Sequence, residues 1–414
     1  MKNLSQTYKT YNDIPGKSRR KHVQGSSPFL LNNLIAELKG AKKIFISFFL
    51  YNNPFLHSFF EEIAESGALI NIYSIPLGGY DERIKVLYNS KGKIKTSKLE
   101  YANKIYDRIV RVNKNINLKI FPHTYIWRKQ KFSRGSNLYS LHNKSILAEF
   151  EDGFKCITSS CNFALGDPPH SDNFLVIKGN ANTEKIFKDY FSILDQVSFT
   201  INDYSNFSKE HYDFEYIVKP VNLKDTYKTD YFTAPFIKYD GVGSNHYIQK
   251  KIVEFIQSAQ TRIYICSQHF SDIDSYDISA DSLVKRLKNI DMKVDIKILK
   301  QTRAQNQVQG WRTEKTEKLL KECSNISQRY WDSVIHDKFI IVDNKILVTS
   351  GNFTPTQFAW DENHTMIYSL GNHEFRVSNT FSEVNAYHFI EDRQIVKEYT
   401  NHFDKLWNKS KIIY

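Results

Sequence analysis

The sequence predicts an α/β protein made of two repeated units. Three observations support this: short apolar segments alternate with amphipathic helical segments in both halves, a His-x-Lys pair stands in each half at His142 and His336, and the residues that follow each pair recur at matching spacings. A chain of 414 residues with 41% hydrophobic content can build two cores of ordinary size. We therefore expect two α/β units related by a pseudo-two-fold axis.

Each unit is expected to begin with an amphipathic helix that leads into a short apolar strand, Ile44 to Ile46 in one half and Ile263 to Ile265 in the other. A second helix and strand follow, and an amphipathic helix closes each unit. The first unit also carries an extra segment, roughly 80–135. The expected divisions are a basic N-terminal arm, the first unit, a connector and the second unit, at 1–27, 28–200, 201–243 and 244–414.

The motif segments are expected to form strands followed by turns. Because side chains two apart on a strand share a face, the histidine and lysine of each pair point the same way. A single His-x-Lys pair is expected by chance about once in a chain with 13 histidines and many lysines. The spacing that follows is more specific, with an acid five residues after each lysine, then Ser-x-Asn, then an acid ten residues later. These positions are Glu149, Ser160, Asn162 and Asp172 in one half, and Asp343, Ser350, Asn352 and Glu362 in the other.

Two histidines brought together from the two halves can carry out a double displacement at phosphorus. A neutral imidazole is a suitable nucleophile, and a protonated imidazole can donate to the leaving oxygen and later activate water. Asp172 and Glu362 are expected to accept from the other nitrogen of each ring. The residues expected to stabilise phosphate charge, or to face it from the turns, are Lys144, Lys338, Asn162, Asn352, Ser160 and Ser350. We expect no metal and no cofactor, because lysines and amides supply the electrostatic stabilisation.

The sequence His336-x-Lys338-x4-Asp343, with Ser350-x-Asn352 after it, resembles the signature of the phospholipase D superfamily, and is most similar to its small bacterial nucleases. The resemblance implies two phospholipase D-like α/β sandwich units with mixed β-sheets flanked by helices, and one active site at their interface. It also implies a phosphohistidine intermediate, with His142 as nucleophile and His336 as general acid and base. Glu149 departs from the family's aspartate, and we expect Glu149 and Asp343 to be structural. Ser159 and Thr349 stand where the family has glycine.

The positive charge is concentrated in residues 1–27, with a net charge of +5, and in residues 78–140. The chain has a net charge of +12, and residues 78–140 alone hold fifteen Lys or Arg and four acids, a net charge of +11. Aromatic residues are interleaved there, which favours binding to a nucleic-acid backbone, DNA more than RNA. An exposed helical insertion or a surface for anionic lipid headgroups would explain the same charge. The candidate contacts are Lys91, Lys93, Lys95, Arg128, Lys129, Lys131 and Arg134.

Three functions remain open from the sequence. The leading one is a metal-independent nuclease acting on DNA, in restriction, phage defence or repair. The second is a phospholipase D or phosphatidyl transferase acting on phospholipids, and the third is a catalytically inactive nucleic-acid-binding protein. The sequence has no run long enough for a membrane span, no apolar signal core, and four cysteines without zinc-type pairing, so we expect a cytoplasmic protein. The oligomeric state is left open.

Overall fold

A computed structural model describes most of the two predicted units. The described residues are 6–15, 27–75, 97–112, 114–121, 141–165, 169–210, 220–225, 229–234, 236–272, 282–301, 310–331, 334–354, 357, 361–370, 373–380 and 383–413. Within them, the backbone alone is described for 97–103, 207–210, 310–312, 361–370 and 373–380.

The first unit combines one mixed sheet with flanking helices. Its strands are β1 Thr7–Asp13, β2 Lys43–Phe48, β3 Leu69–Ser74, β4 Ile116–Ile120, β5 Lys144–Phe150, β6 Gly153–Ser159, β7 His170–Lys178 and β8 Phe199–Thr200. Its helices are α1 Pro28–Leu38, α2 Pro54–Glu65, α3 Ser97–Val112, α4 Ala181–Gln196 and α5 Ile201–Glu210. Asn53 and Asn180 cap α2 and α4, each accepting from two backbone amides of the first turn.

The second unit repeats this arrangement after a short three-stranded connector sheet. The strands of this half are β9 Val221–Leu223, β10 Asp230–Thr233, β11 Ile237–Tyr239, β12 Val242–Gly243, β13 Arg262–Ser267, β14 Asp295–Gln301, β15 Ile326–Trp331, β16 Val334–Ile335, β17 Lys338–Val342, β18 Lys345–Thr349, β19 Asp361–Leu370, β20 His373–Thr380, β21 Asn385–Ile390 and β22 Lys411–Ile412. The helices are α6 Ser244–Gln257, α7 Leu283–Lys288, α8 Gly310–Lys321 and α9 Arg393–Trp407.

The two large sheets have the same strand order. The first runs β1-β7-β6-β5-β2-β3-β4-β8, and the second runs β10-β21-β18-β17-β13-β14-β15-β22. In each, three central strands are parallel (β2-β3-β4 and β13-β14-β15) and the neighbouring pairs are antiparallel. The prediction of two α/β units with mixed sheets flanked by helices is confirmed, and the eight strands in the order of the first sheet each have a counterpart in the order of the second.

The structure corrects two of the expected boundaries. Thr7–Asp13, expected to belong to the basic arm, forms the edge strand β1 and pairs along its whole length with β7. Its counterpart β10 lies inside the expected connector and pairs with β21, so the second sheet begins before residue 244. Both strands were missed because β1 is a half-exposed polar edge and β10 has only four residues.

The two units share buried contacts. Tyr190 on α4 stacks on Phe232 of β10, with ring centroids 4.0 Å apart. Beside them, the Asp230 carboxylate accepts from His388 Nδ1 at 2.6 Å and from the Thr183 hydroxyl at 2.7 Å. His388 Nε2 lies 2.8 Å from the hydroxyl of Thr158 in the first unit. Burial of each large aromatic ring contributes about 2–3 kcal/mol, so this contact binds the units firmly.

A short piece of the second unit also joins the first sheet. Strand β16 pairs in parallel with β7, Val334 opposite His170 and Ile335 opposite Ser171. The next backbone amide, that of His336, donates to Ser171 O at 2.9 Å. The second motif histidine is therefore positioned by the first unit as well as by its own.

Candidate functional site

The second motif histidine faces an acid from the first unit. His336 Nδ1 lies 2.8 Å from Asp172 Oδ1, and Asp172 is fully buried at the start of β7. The side chain of His336 is only 6% exposed. Because Nδ1 is committed to the carboxylate, Nε2 is the nitrogen that remains for a substrate.

The first motif histidine faces an amide from the second unit. His142 Nδ1 lies 3.3 Å from Asn385 Oδ1 and 3.4 Å from Glu383 Oε2. The Asn385 amide nitrogen in turn donates to Glu383 Oε2 at 3.2 Å. The His142 ring also packs edge-on against Phe49, with centroids 5.7 Å apart. Each histidine thus takes its Nδ1 partner from the opposite unit.

Asp172 and Asn385 occupy equivalent places, as the serines beside them show. The Ser160 hydroxyl donates to Asp172 Oδ1 at 2.8 Å, and the Ser350 hydroxyl donates to Asn385 Oδ1 at 3.0 Å. Each serine oxygen also accepts from the backbone amide one residue after that partner, at 2.9 Å and 3.0 Å. The pseudo-two-fold relation therefore pairs a carboxylate with an amide, and Ser160 and Ser350 orient these partners.

The expectation for Glu362 is corrected by this geometry. Glu362 lies on β19, which forms a hairpin with β20 inserted between β18 and β21. The structure describes only the backbone of this strand. The strand that matches β7 is β21, so the residues that meet His142 are Asn385 and Glu383. The acid-Asn spacing at 362 therefore falls in the inserted hairpin and not on the strand that matches β7.

Both motif lysines are completely buried beside their histidines. Lys144 Nζ donates to the carbonyl of His142, and Lys338 Nζ donates to the carbonyl of His336, each at 2.5 Å. Burial lowers the pKa of Lys338 to about 8, against the opposing influence of Asp172 and Asp337. At neutral pH this lysine still carries a proton, and its charge is available to an anionic ligand.

The electrostatics of the two histidines differ. Burial lowers the pKa of His142 well below its usual value, and the charges of Lys144 and Lys338 lower it further. Burial and the Lys338 charge also lower the pKa of His336 well below its usual value, but there the Asp172 carboxylate acts in the opposite direction. Although burial alone would raise it, the pKa of Asp172 is held far below its usual range by His170 and His336. Asp172 is an anion, and it favours a proton on His336.

The turn amides occupy unequal surroundings. Asn352 is buried, and its side-chain oxygen accepts from the His269 backbone amide at 3.4 Å. Asn162 is partly exposed in the turn after β6, and the next residue, Phe163, has a positive φ of 50°. Between Ser350 and Asn352 stands Gly351, where a Cβ would lie 2.8 Å from the Asn385 amide nitrogen. Close packing of this turn against Asn385 requires glycine.

The two motif acids lie away from the histidines. Asp343 Oδ1 and Oδ2 accept from the backbone amides of Gln260, Thr261 and Arg262 at 2.8 to 3.0 Å, which fixes the start of β13. The Glu149 side chain is 34% exposed at the end of β5, with Lys188 Nζ at 4.0 Å. These contacts favour the structural role expected for both acids.

His170 is the residue of this cluster that sequence reasoning left without a role. Its Nδ1 lies 2.5 Å from Asp172 Oδ2, and its ring centroid lies 4.6 Å from that of His336. Among the described residues, His170, Asp172 and His336 form the one group of three His, Cys or acidic side chains close enough to share an ion, with their atoms within 4.8 Å. Since both Nδ1 atoms are hydrogen-bonded to the carboxylate, we interpret the group as a hydrogen-bond network instead of a ligand set.

The predicted nucleic-acid contacts lie outside the described residues. This applies to Lys91, Lys93, Lys95, Arg128, Lys129, Lys131 and Arg134. None of the described helices is both long and apolar enough to cross a membrane.

Comparison with known proteins matches the second unit to a family model. Residues 252–407 match the family described as "Cardiolipin synthase, PLD-like domain". A search of curated protein sequences returns no match. Among solved structures, phosphatidylserine synthase from Haemophilus influenzae is 12% identical, with a TM-score of 0.56, and the match covers 97% of this chain and 89% of that one.

Two other solved structures match with lower TM-scores. A polyphosphate kinase from Porphyromonas gingivalis is 11% identical with a TM-score of 0.50, and the match covers 99% of this chain. This chain spans about half of that kinase, since the match covers 48% of it. Nuc, a phospholipase D family member from Salmonella typhimurium, is 22% identical over 40% of this chain and 90% of that one, with a TM-score of 0.29 that is too low to bear on the fold. The expectation that the chain is most similar to bacterial nucleases is not confirmed, because the synthase and the kinase match as well. Residues 252–407 are therefore similar to a phospholipase D-like domain, and the chain shares the fold of the phosphatidylserine synthase structure.

Proposed function

We propose that this chain is a metal-independent phosphodiesterase that cleaves DNA through a covalent phosphohistidine intermediate. The observation that carries the chemistry is the meeting of the two His-x-Lys pairs, with each histidine held at Nδ1 by a residue from the opposite unit. This arrangement leaves both Nε2 atoms for a substrate, and the charges of two buried lysines act on the rings, Lys144 and Lys338 on His142 and Lys338 on His336.

In the first step, His142 Nε2 attacks phosphorus and a P–N bond forms. The bond from phosphorus to the leaving oxygen breaks, and that oxygen takes the proton from His336 Nε2. Lys144, Lys338 and the turn amides of Asn162 and Asn352 stabilise the negative charge on the equatorial oxygens.

In the second step, water replaces the leaving group. His336, now neutral, takes a proton from the water as its oxygen bonds to phosphorus, and the P–N bond to His142 breaks. The product phosphate leaves, and both histidines return to their starting protonation states. No step requires a cofactor.

DNA is the substrate favoured by charge. The segment 78–140 combines a net charge of +11 with interleaved tyrosines and a tryptophan, which suits phosphate contacts and base stacking along a nucleic-acid strand. A nuclease in restriction, phage defence or repair fits this substrate.

Phospholipid is the second candidate substrate, and the family match favours it. The domain model is named for cardiolipin synthase, and one solved structure of similar fold is a phosphatidylserine synthase. In this case the alcohol that accepts the phosphatidyl group replaces water in the second step.

The experiment offers both substrate classes to one enzyme preparation. Purified full-length chain is incubated in EDTA with single-stranded DNA, duplex DNA, RNA, and vesicles of phosphatidylcholine with phosphatidylglycerol. We expect DNA cleavage that persists in EDTA. Loss of all activity in EDTA would contradict the metal-independent mechanism, and turnover of lipid without any nucleic acid would replace DNA with phospholipid.

Matched histidine variants locate the activity. His142→Ala and His336→Ala are expected to reduce cleavage of DNA by at least about 10³-fold, since each removes one partner of the double displacement. His246→Ala, which changes a partly exposed histidine on α6, serves as the control and should retain cleavage. If all three variants cleaved DNA as fast as wild type, the two motif histidines would be excluded as the catalytic residues.

A further inference from the structure

The pseudo-symmetry of the site is broken at one pair of positions. Where the first unit presents the Asp172 carboxylate to His336, the second unit presents the Asn385 amide to His142. The residue two positions before each is also different, His170 before Asp172 and Glu383 before Asn385. The different partners at the two Nδ1 atoms indicate different roles for His142 and His336.

The first of these clusters is a chain of three groups. His170 Nδ1 meets Asp172 Oδ2 at 2.5 Å, and Asp172 Oδ1 meets His336 Nδ1 at 2.8 Å. Ser160 donates to the same Oδ1. All of these side chains are buried, so the carboxylate is oriented from three sides and water does not screen it. An oriented buried anion favours imidazolium at His336.

The second cluster places an amide oxygen against His142 Nδ1, and burial raises the pKa of the Glu383 carboxyl group that lies 3.4 Å from the same atom. Asn385 Oδ1 is committed as an acceptor, because the amide nitrogen of the same side chain donates to Glu383 and the oxygen also accepts from Ser350. An amide oxygen fixes the proton of His142 on Nδ1 and leaves a lone pair on Nε2 without stabilising a second proton. The charged groups facing the two rings are Lys338, Asp172 and His170 around His336, and Lys144, Lys338, His336 and Glu383 around His142.

We propose that His170 is a positioning residue that holds Asp172 on His336, so that His336 carries the transferable proton while His142, facing Asn385, stays neutral and forms the bond to phosphorus. This inference rests on the proposed phosphodiesterase function. In this role His170 takes no part in bond making or breaking and acts through the hydrogen bond to Asp172. Removal of its hydrogen bond frees Asp172 to turn, and the proton donor loses its orientation.

The test compares two substrates that differ in their need for a proton donor. The leaving group of an alkyl phosphodiester such as a dinucleotide is a strongly basic alkoxide. The leaving group of a thymidine p-nitrophenyl phosphodiester is a weakly basic phenolate. His170→Phe removes the hydrogen bond and keeps a ring, and His170→Asn keeps an N–H donor. We expect His170→Phe to lower kcat on the dinucleotide about 10²-fold and on the p-nitrophenyl ester less than about 5-fold. We expect His170→Asn to keep most of the wild-type kcat on the dinucleotide.

A merely structural role for His170 predicts an equal loss on both esters, and that result overturns the proposal. Peptide mapping of the covalent intermediate that His336→Ala forms with the thymidine p-nitrophenyl phosphodiester provides the second measurement, with the thymidine phosphate group expected on His142. Attachment of that group to any other histidine also overturns the proposal. If wild type cleaves neither ester, the proposed function fails and the inference fails with it. If wild type cleaves both and His170→Phe is unchanged, only the inference fails.

Discussion

Gly351 offers a sharp test of how closely the site is packed. It lies in the turn after β18, and a Cβ built on it would lie 2.8 Å from Asn385 Nδ2, 2.9 Å from Asn385 Cγ and 3.0 Å from the Tyr387 hydroxyl. Ordinary contact begins near 3.4 Å, so Gly351→Ala must displace Asn385 by about 0.6 Å. Asn385 is fully buried and lies against His142, so the displacement reaches the first motif histidine.

Two magnitudes follow from this displacement. Overpacking of a buried site costs about 1–3 kcal/mol of unfolding free energy. A misplacement approaching 1 Å at a reacting group costs up to about 10²-fold in rate, so we expect kcat to fall about 10- to 100-fold. Denaturant unfolding measures the first, and steady-state cleavage of the substrate found in the assay above measures the second.

The counterpart position supplies the control. Cys161 stands where Gly351 stands in the repeat, and it already carries a Cβ beside Asp172's strand. Cys161→Ala should therefore keep activity within a few-fold. The double variant Gly351→Ala with Asn385→Ala should recover stability relative to the sum of the two single changes, because the clashing amide is gone. Wild-type kcat and stability in Gly351→Ala, or strict additivity in the double variant, would refute the packing argument.

Three further predictions concern charge. The pKa of Lys338 is about 8, so kcat/KM should fall as the pH rises through 8 and the lysine loses its charge, and a pH profile without a basic limb there would contradict its role. Burial lowers the pKa of His57 to about 4. As the pH falls, this side chain is therefore protonated near pH 6.5 in the unfolded chain but stays neutral in the folded chain until about pH 4. His57 should therefore cost up to about 3 kcal/mol of stability as the pH falls from 6.5 to 4, and urea melts of His57→Gln should show a weaker pH dependence than wild type. Asp230→Ala leaves His388 and Thr183 without their buried acceptor and should lower the unfolding free energy by about 3–5 kcal/mol, with Asp230→Asn less damaging, while equal stability of all three proteins would count against the network.

Much of the architecture was predictable because apolar periodicity and motif spacing are local signals. A few neighbouring residues are enough to indicate the central strands β2 and β13, each of which is parallel to the next strand of its own sheet. The same holds for the closing helices and for the strands that carry the His-x-Lys pairs. The edge strands β1 and β10 were missed because an edge strand is half solvated and its sequence shows little alternation.

The partner of His142 was missed for a different reason. Spacing counted forward from Asn352 leads to Glu362, since the inserted β19–β20 hairpin hides the length change. Counting backward from the closing helix identifies the right strand, because Asp172 lies nine residues before the start of α4 and Asn385 eight before the start of α9. His170 carried no signal in the sequence, since its importance lies in one contact with Asp172.

The repeat has a consequence for how the site can vary. In a symmetric dimer of identical chains, every substitution at the shared site appears twice, so the two histidines must have the same neighbours. Here both copies are encoded separately in one polypeptide. Asp172 and Asn385 are therefore free to differ, and each half of the site can be tuned by mutation without changing the other.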